Sequence, residues 1–254
     1  MKRPQGRFFV GRLTFSGWSP RGLGYFGPRS GSFAASWRLA WDGPAWFDCI
    51  IQCLKGQLMS NSILVFYGSY RSDRMGIRLA QFIVEGLRAR GDDVELIDAK
   101  AIGLPMLERM YKEYPKGEAP AVLEKLASQI RDADGFVFVT GEYNWGMQPG
   151  LKNLTDHFLE EWFWRPAAIA SYSAGRFSGA RAALAWHGTL SEMGMVVISS
   201  SIAVGPIAQT LSEDGKPTGE GGNALTRAFP RFADDFAWWM EAARAQRERK
   251  KPPY

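Results

Sequence analysis

Thiol and imidazole chemistry is almost missing from this sequence, which has two cysteines and two histidines in 254 residues. Both cysteines, Cys49 and Cys53, precede residue 59 and have no second pair or histidine beside them. This argues against a cysteine-ligated metal, a disulfide framework or a cysteine nucleophile, and no metal site is expected. His157 and His187 fall in helical patterns, where they read as packing or surface residues rather than catalysts. Long apolar runs are also lacking. The stretches 136–139 and 195–198 are each closed by Thr or Ser, far short of the roughly 20 residues a membrane helix needs. The formal charge of +5 comes from one end: residues 1–58 hold eight Lys/Arg against two Asp/Glu, and the remainder holds 23 against 24. Without a basic excess in the body of the chain, no nucleic-acid partner is expected.

What is present divides at residue 59. Residues 1–58 contain nine glycines and eleven aromatics in short fragments without helical or strand period. They read as an N-terminal extension that is disordered or not native to the domain. A targeting segment is the weaker alternative, because no amphipathic helix accompanies the arginines. Residues 59–254 form the domain. Apolar, β-prone runs at 63–67, 136–140, 167–171 and 195–199 predict buried parallel strands, and 94–98 alternates as an edge strand would. Helical spacing links them at Ile77, Ala80, Val84 and Leu87, at Val122, Leu126 and Ile130, at Leu151, Leu154 and Phe158, and over 178–193. A last helix carries Phe229, Phe232, Phe236 and Trp239 on one stripe. Strand starts lie 28 to 42 residues apart, the spacing of right-handed βαβ units. The expected fold class is α/β, a doubly wound five-stranded parallel sheet of order 2-1-3-4-5, with ligands at the switch between strands one and three.

Three loops follow strands at that edge. The first, Gly68-Ser-Tyr-Arg-Ser-Asp-Arg-Met-Gly76, leads into a helix, so amides, hydroxyls and two arginines converge where an anion is favoured. It lacks the Gly-Lys-Ser/Thr of a P-loop and the glycine spacing of a dinucleotide fingerprint, which points to a terminal monophosphate. Plain helix capping by Ser72 or Asp73 is the competing reading, and Asp73 is expected to turn away from the anion as a cap. The second loop, 141–153, combines Tyr143, Asn144 and Trp145 with glycines and suits a planar heterocycle. The third, 171–180, is small and polar, with helix capping by Ser178 as the alternative. A phosphate pocket, a flat slot and a further wall are what a mononucleotide requires.

The motifs Gly68-Ser-x-Arg-x-x-Arg-x-Gly76, Glu142-Tyr-Asn-x-Gly146, Leu151-Lys-Asn153 and Tyr172-Ser-Ala-Gly175 resemble the NADPH-dependent FMN reductase family over about 62–204. The resemblance implies a flavodoxin-like, cytoplasmic homodimer or homotetramer. It would hold FMN and pass hydride from NADPH to a quinone, azo compound, metal oxyanion or free flavin, with ping-pong kinetics. Carried over, Ser69, Arg71, Arg74 and Gly76 would hold the FMN phosphate. Glu142, Tyr143, Asn144 and Trp145 would lie along the ring system, Glu142 as a loop-orienting group, and Ser173 and Gly175 would border it. The family often has proline where this chain has Gly141, and the proline of the next turn comes one place late, at Pro149. A flavodoxin-type electron carrier and a flavin-less interaction protein of the same fold are the alternatives. The apolar segment 104–114 would cover a neighbour's flavin or fold back over its own sheet.

Overall fold

The computed structural model describes residues 60–254, so the expectations for 1–58, including those for Cys49 and Cys53, lie outside the described residues. Strand β1 (Ser62–Tyr67) is followed by helix α1 (Ile77–Arg88), β2 (Asp93–Asp98), a short α2 (Ala99–Ile102), α3 (Ala121–Asp132) and β3 (Gly135–Gly141). Then come α4 (Pro149–Asp156), β4 (Pro166–Tyr172), α5 (Ala180–Glu192), β5 (Val196–Val197), β6 (Ile202–Val204), α6 (Ile207–Thr210) and α7 (Gly219–Arg249). The sheet runs β2-β1-β3-β4-β5 with β6 also on β4, and every pairing is parallel. Among the described residues no helix is long and apolar enough to cross a membrane.

Alternation along the central strands separates two apolar layers. Ile63, Val65 and Tyr67 face α1 and α7, where Leu79, Ile83, Phe232 and Phe236 are buried; Leu64 and Phe66 face α3, α4 and α5, with Leu126, Leu154, Trp162 and Trp186. The aromatic stripe of α7 therefore covers one sheet face, flush against β3. A Cβ on Gly135 would come within 2.7 Å of the Phe236 ring. On α3 the buried positions are Leu123, Leu126, Ala127 and Ile130, and Val122 points to solvent, one residue away from the expected stripe.

Strand five differs from the expected continuous 195–199. Pro166 pairs with Val196 but Ala170 pairs with Ile202, so two extra residues enter between the pieces and the edge breaks into β5 and β6. The break is held from outside the sheet. The Ser200 amide and the Ser199 hydroxyl donate to the Asp235 carboxylate on α7, at 2.9 and 3.3 Å. That register shift brings Val204 opposite Tyr172, and the Ile207 amide donates a hydrogen bond to the Ser173 carbonyl beside the strand-four loop.

Candidate functional site

The first two loops leave β1 and β3, which are neighbours although far apart in sequence, and the third leaves β4. Together they enclose a cavity of about 410 Å³ lined by both loop arginines and by residues 141–144 and 172–174. Its size and convergent polar groups suit a small ligand. A second cavity, about 360 Å³, lies at the opposite strand ends between Trp164 and Trp239, where apolar side chains predominate.

In the first loop, Gly68 lets strand and helix meet: a Cβ there would stand 2.5 Å from the backbone of Leu151 at the start of α4. The amides of Tyr70, Arg71, Ser72 and Arg74 donate no hydrogen bond to any described residue, so they stay available to an anion. Arg74 donates to Asp98 at 2.6 Å and lies over the Tyr67 ring. Arg71 forks onto Asp73 through Nε and Nη2 at 2.9 and 2.8 Å. The expectation that Asp73 caps the helix is thereby corrected. The N-cap of α1 is Gly76, with no side-chain cap, and the Asp73 carboxylate is taken by the nearest guanidinium. That contact holds Asp73 below the usual carboxylate range.

Behind the loop stand phenols. Tyr172 is buried and lies so close that a Cβ on Gly76 would fall 2.0 Å from its ring, which is why position 76 has no room for a side chain. Tyr67 stands 6.4 Å away, ring to ring, and its hydroxyl donates to the Arg74 carbonyl. Desolvation pushes both phenols above their ordinary range, so both stay protonated. The Tyr143 and Ser69 hydroxyls share a hydrogen bond at 3.3 Å across the cavity floor, joining the first loop to the second.

The second loop is a tight hairpin. Tyr143 and Gly146 exchange both backbone hydrogen bonds, with Asn144 and Trp145 between them at φ 46° and 76°, as a two-residue primed turn demands. Trp145 consequently swings out of the cavity, 70% exposed, and stacks on the Arg181 guanidinium at 4.3 Å. Glu142 is fixed from the other side. Its carboxylate pairs with Arg181 and accepts the Arg181 amide at the start of α5, where the N-cap is Gly179, against the alternative reading of a Ser178 cap. The two departures from the family pattern fit together here. The Gly141 amide donates to Gln148 Oε1 at 2.9 Å, and Gln148 Nε2 donates to the Tyr172 hydroxyl at 2.9 Å. A proline at 141 would have no N–H to give. Pro149 then occupies the first turn of α4, where its missing N–H costs nothing.

Of the ten residues read from sequence, Ser69, Arg71, Arg74, Glu142, Tyr143, Asn144 and Ser173 line the cavity. Gly76 lies behind Tyr172, Trp145 points away, and Gly175 serves as acceptor for the Ser173 hydroxyl. Sequence reasoning gave no role to Tyr67, Gln148, Ile207 or Tyr172, the last named only as part of a motif. A strand-terminal tyrosine after an apolar run was the available signal for Tyr67 and Tyr172, whereas Gln148 and Ile207 are recognisable only from the folded loops. Asn153 clamps the segment after α2 through Pro105 and Leu107, and Lys152 pairs with Asp156. The segment thus partly folds back, burying Leu104, while Met106 remains 79% exposed. His157 is buried, with Nδ1 bonded to the Asn153 carbonyl, and His187 is exposed on α5. Among the described residues no group of three His, Cys, Asp or Glu could hold a metal.

Against known proteins, residues 61–209 match the family model described as NADPH-dependent FMN reductase. An NAD(P)H-dependent FMN reductase of Schizosaccharomyces pombe is 36% identical over 121 residues, 43% of this chain and 56% of that protein. The chain thus spans little more than half the length of that relative. A quinone reductase of Pseudomonas putida is 28% identical over 196 residues, 72% of this chain and 97% of that protein. Among solved structures, the flavoenzyme NAD(P)H:(acceptor) oxidoreductase FerB from Paracoccus denitrificans aligns with a TM-score of 0.59 at 24% identity, covering 72% of this chain and 98% of the other. At that identity the likeness speaks for the flavodoxin-like fold alone.

Proposed function

Since the chain belongs to the NADPH-dependent FMN reductase family, we propose that it is an NAD(P)H-dependent flavin oxidoreductase with FMN in the cavity at the β1/β3 switch. One observation carries the reading: two guanidiniums, a serine hydroxyl and unpaired loop amides meet on one side, and the Glu142-Tyr-Asn turn faces them from the other. That donor set fits a terminal monophosphate, and the glycine-relieved wall fits a flat ring system.

Ser69, Arg71, Arg74 and the amides of residues 70–74 would take the phosphate, with Gly76 admitting the close approach of Tyr172. Residues 142–144 would follow the ring edge, with Ser173 on the opposite border, while Trp145 and Gly175 lie outside the cavity lining. The chemistry supplied there is hydride transfer from NADPH and onward reduction of a quinone, azo compound, metal oxyanion or free flavin, in ping-pong order. The protein's own part is position and polarity. Tyr67 and Tyr172 remain neutral donors, Glu142 holds the ring-side hairpin to α5, and the exposed Trp145 flanks an open face that both substrates would use in turn. The exposed Met106 and Leu107 support a homodimer or homotetramer, and a cytoplasmic setting accords with the reading. An electron carrier is disfavoured by the two arginines in the phosphate loop, and a flavin-less interaction protein by the formed cavity.

The test is FMN titration of the full chain, followed by NADPH oxidation with a quinone. FMN binding and steady turnover are expected, with Arg74→Met weakening FMN about tenfold or more for the loss of a charge-assisted bond. FMN binding without turnover would favour the carrier. No flavin binding would sink both.

A further inference from the structure

The cavity that would receive a dianion has no net positive charge. Arg71 is matched by Asp73, Arg74 by Asp98 and Arg181 by Glu142, three internal pairs around one pocket. Lys100 adds a cation nearby, but its ammonium donates to the Arg71 carbonyl and does not line the cavity. The pairs differ in how firmly they are held. Asp98 is largely buried and also accepts the Lys100 amide at the start of α2, and Glu142 is buried against α5. Asp73 lines the cavity, with its side chain 66% exposed, and Arg71 is its only side-chain partner among the described residues. It uses the Nε and Nη2 edge of Arg71, the edge that offers a fork to a phosphate.

We propose that Asp73 is an internal competitor for the FMN phosphate. It occupies the Arg71 fork in the free protein and must release it, or stand beside the dianion, when the phosphate enters. This inference rests on the reading of the site as an FMN site. Its consequence is an exchangeable flavin: affinity is set low by a carboxylate built into the phosphate loop, so FMN comes and goes rather than remaining through purification. A carboxylate about 6 Å from a dianion in a nearly aqueous dielectric alters binding by about tenfold. The effect belongs to the phosphate, so riboflavin, which has none, is indifferent to Asp73.

The experiment uses the full chain and reads flavin fluorescence quenching on titration with FMN and with riboflavin. Asp73→Asn is expected to bind FMN about tenfold more tightly, with riboflavin unchanged and the gain shrinking in 1 M salt as the charges are screened. After desalting, the variant should retain flavin that the wild type loses. In the Arg71→Met background a gain should remain, because the carboxylate still repels the dianion, but a smaller one, since no fork is left to release. Asp73→Ser, checked by circular dichroism, serves if the asparagine variant misfolds. Unchanged or weaker FMN binding in the Asp73 variants would overturn the proposal and make the carboxylate a positioning group for Arg71. Failure of wild type and variants to bind either flavin would overturn the FMN reading and this inference with it. Normal riboflavin binding with an unaltered FMN constant would leave the reading standing and remove only the competitor.

Discussion

Tyr172 does at residue scale what no loop residue does: it fills the space beneath Gly76 and Gly141 and closes the cavity floor. Its phenol and that of Tyr67 titrate above the ordinary tyrosine range because burial disfavours the phenolate. In the unfolded chain both ionise near pH 10. The folded protein therefore binds more protons above that pH, and the stability these groups contribute is complete below pH 10 and lost as pH rises beyond it. For Tyr67, whose shift is large, the slope approaches about 1.4 kcal/mol per pH unit. Tyr172→Phe should make the alkaline loss shallower, measured as the difference in urea unfolding free energy between pH 9 and pH 11. An identical alkaline slope in wild type and variant would contradict the burial argument. At neutral pH the same variant should lose about 1 kcal/mol with the Gln148 hydrogen bond.

At the scale of elements, the site depends on joints between a loop and the helix that follows another strand. Glu142, at the end of β3, binds the first turn of α5, so the ring-side hairpin and the strand-four loop move as one piece. Glu142→Gln keeps the shape but removes the charge. It should cost about 1.5–3 kcal/mol in thermal or urea unfolding, and FMN affinity should fall with it as the hairpin loosens. The joint between β1 and α4 is steric. Gly68→Ala would drive a methyl into the Leu151 backbone, which cannot rotate away, so a loss of about 1–3 kcal/mol is expected from overpacking. A variant as stable as the parent would mean that α4 shifts freely, and the distance from Gly68 to Leu151 would then carry no constraint.

The described domain is a sheet sealed on one side by α1 and the long C-terminal α7, and on the other by α3, α4 and α5. α7 also serves the sheet's far end. Arg244 donates to Asp134 at 2.8 Å, and the same carboxylate accepts the Ser62 amide, tying the helix to the starts of β1 and β3. Phe236 is fully buried over Gly135, so Phe236→Ala should cost about 3–5 kcal/mol in urea unfolding, as large-to-small changes in well-packed cores do. A loss below about 1 kcal/mol would mean that α7 is not an integral layer.

Strand order followed from the chain itself, because buried apolar runs about thirty residues apart stack through right-handed crossovers and the one alternating run, 94–98, marks the edge. Seven of the ten candidate residues line one cavity for the same reason: loops after adjacent parallel strands must meet at one edge. Folding decided the rest. Trp145 leaves the cavity because a two-residue turn points it outward, and strand five breaks because Asp235, 35 residues beyond Ser200, holds the extra residues open. Asp73 pairs with Arg71 instead of capping a helix because the neighbouring guanidinium offers its carboxylate a two-point, charge-assisted fork. Local pattern specifies which segments are strands and helices. Which of several satisfied partners a polar side chain takes depends on distances that exist only after the layers have closed.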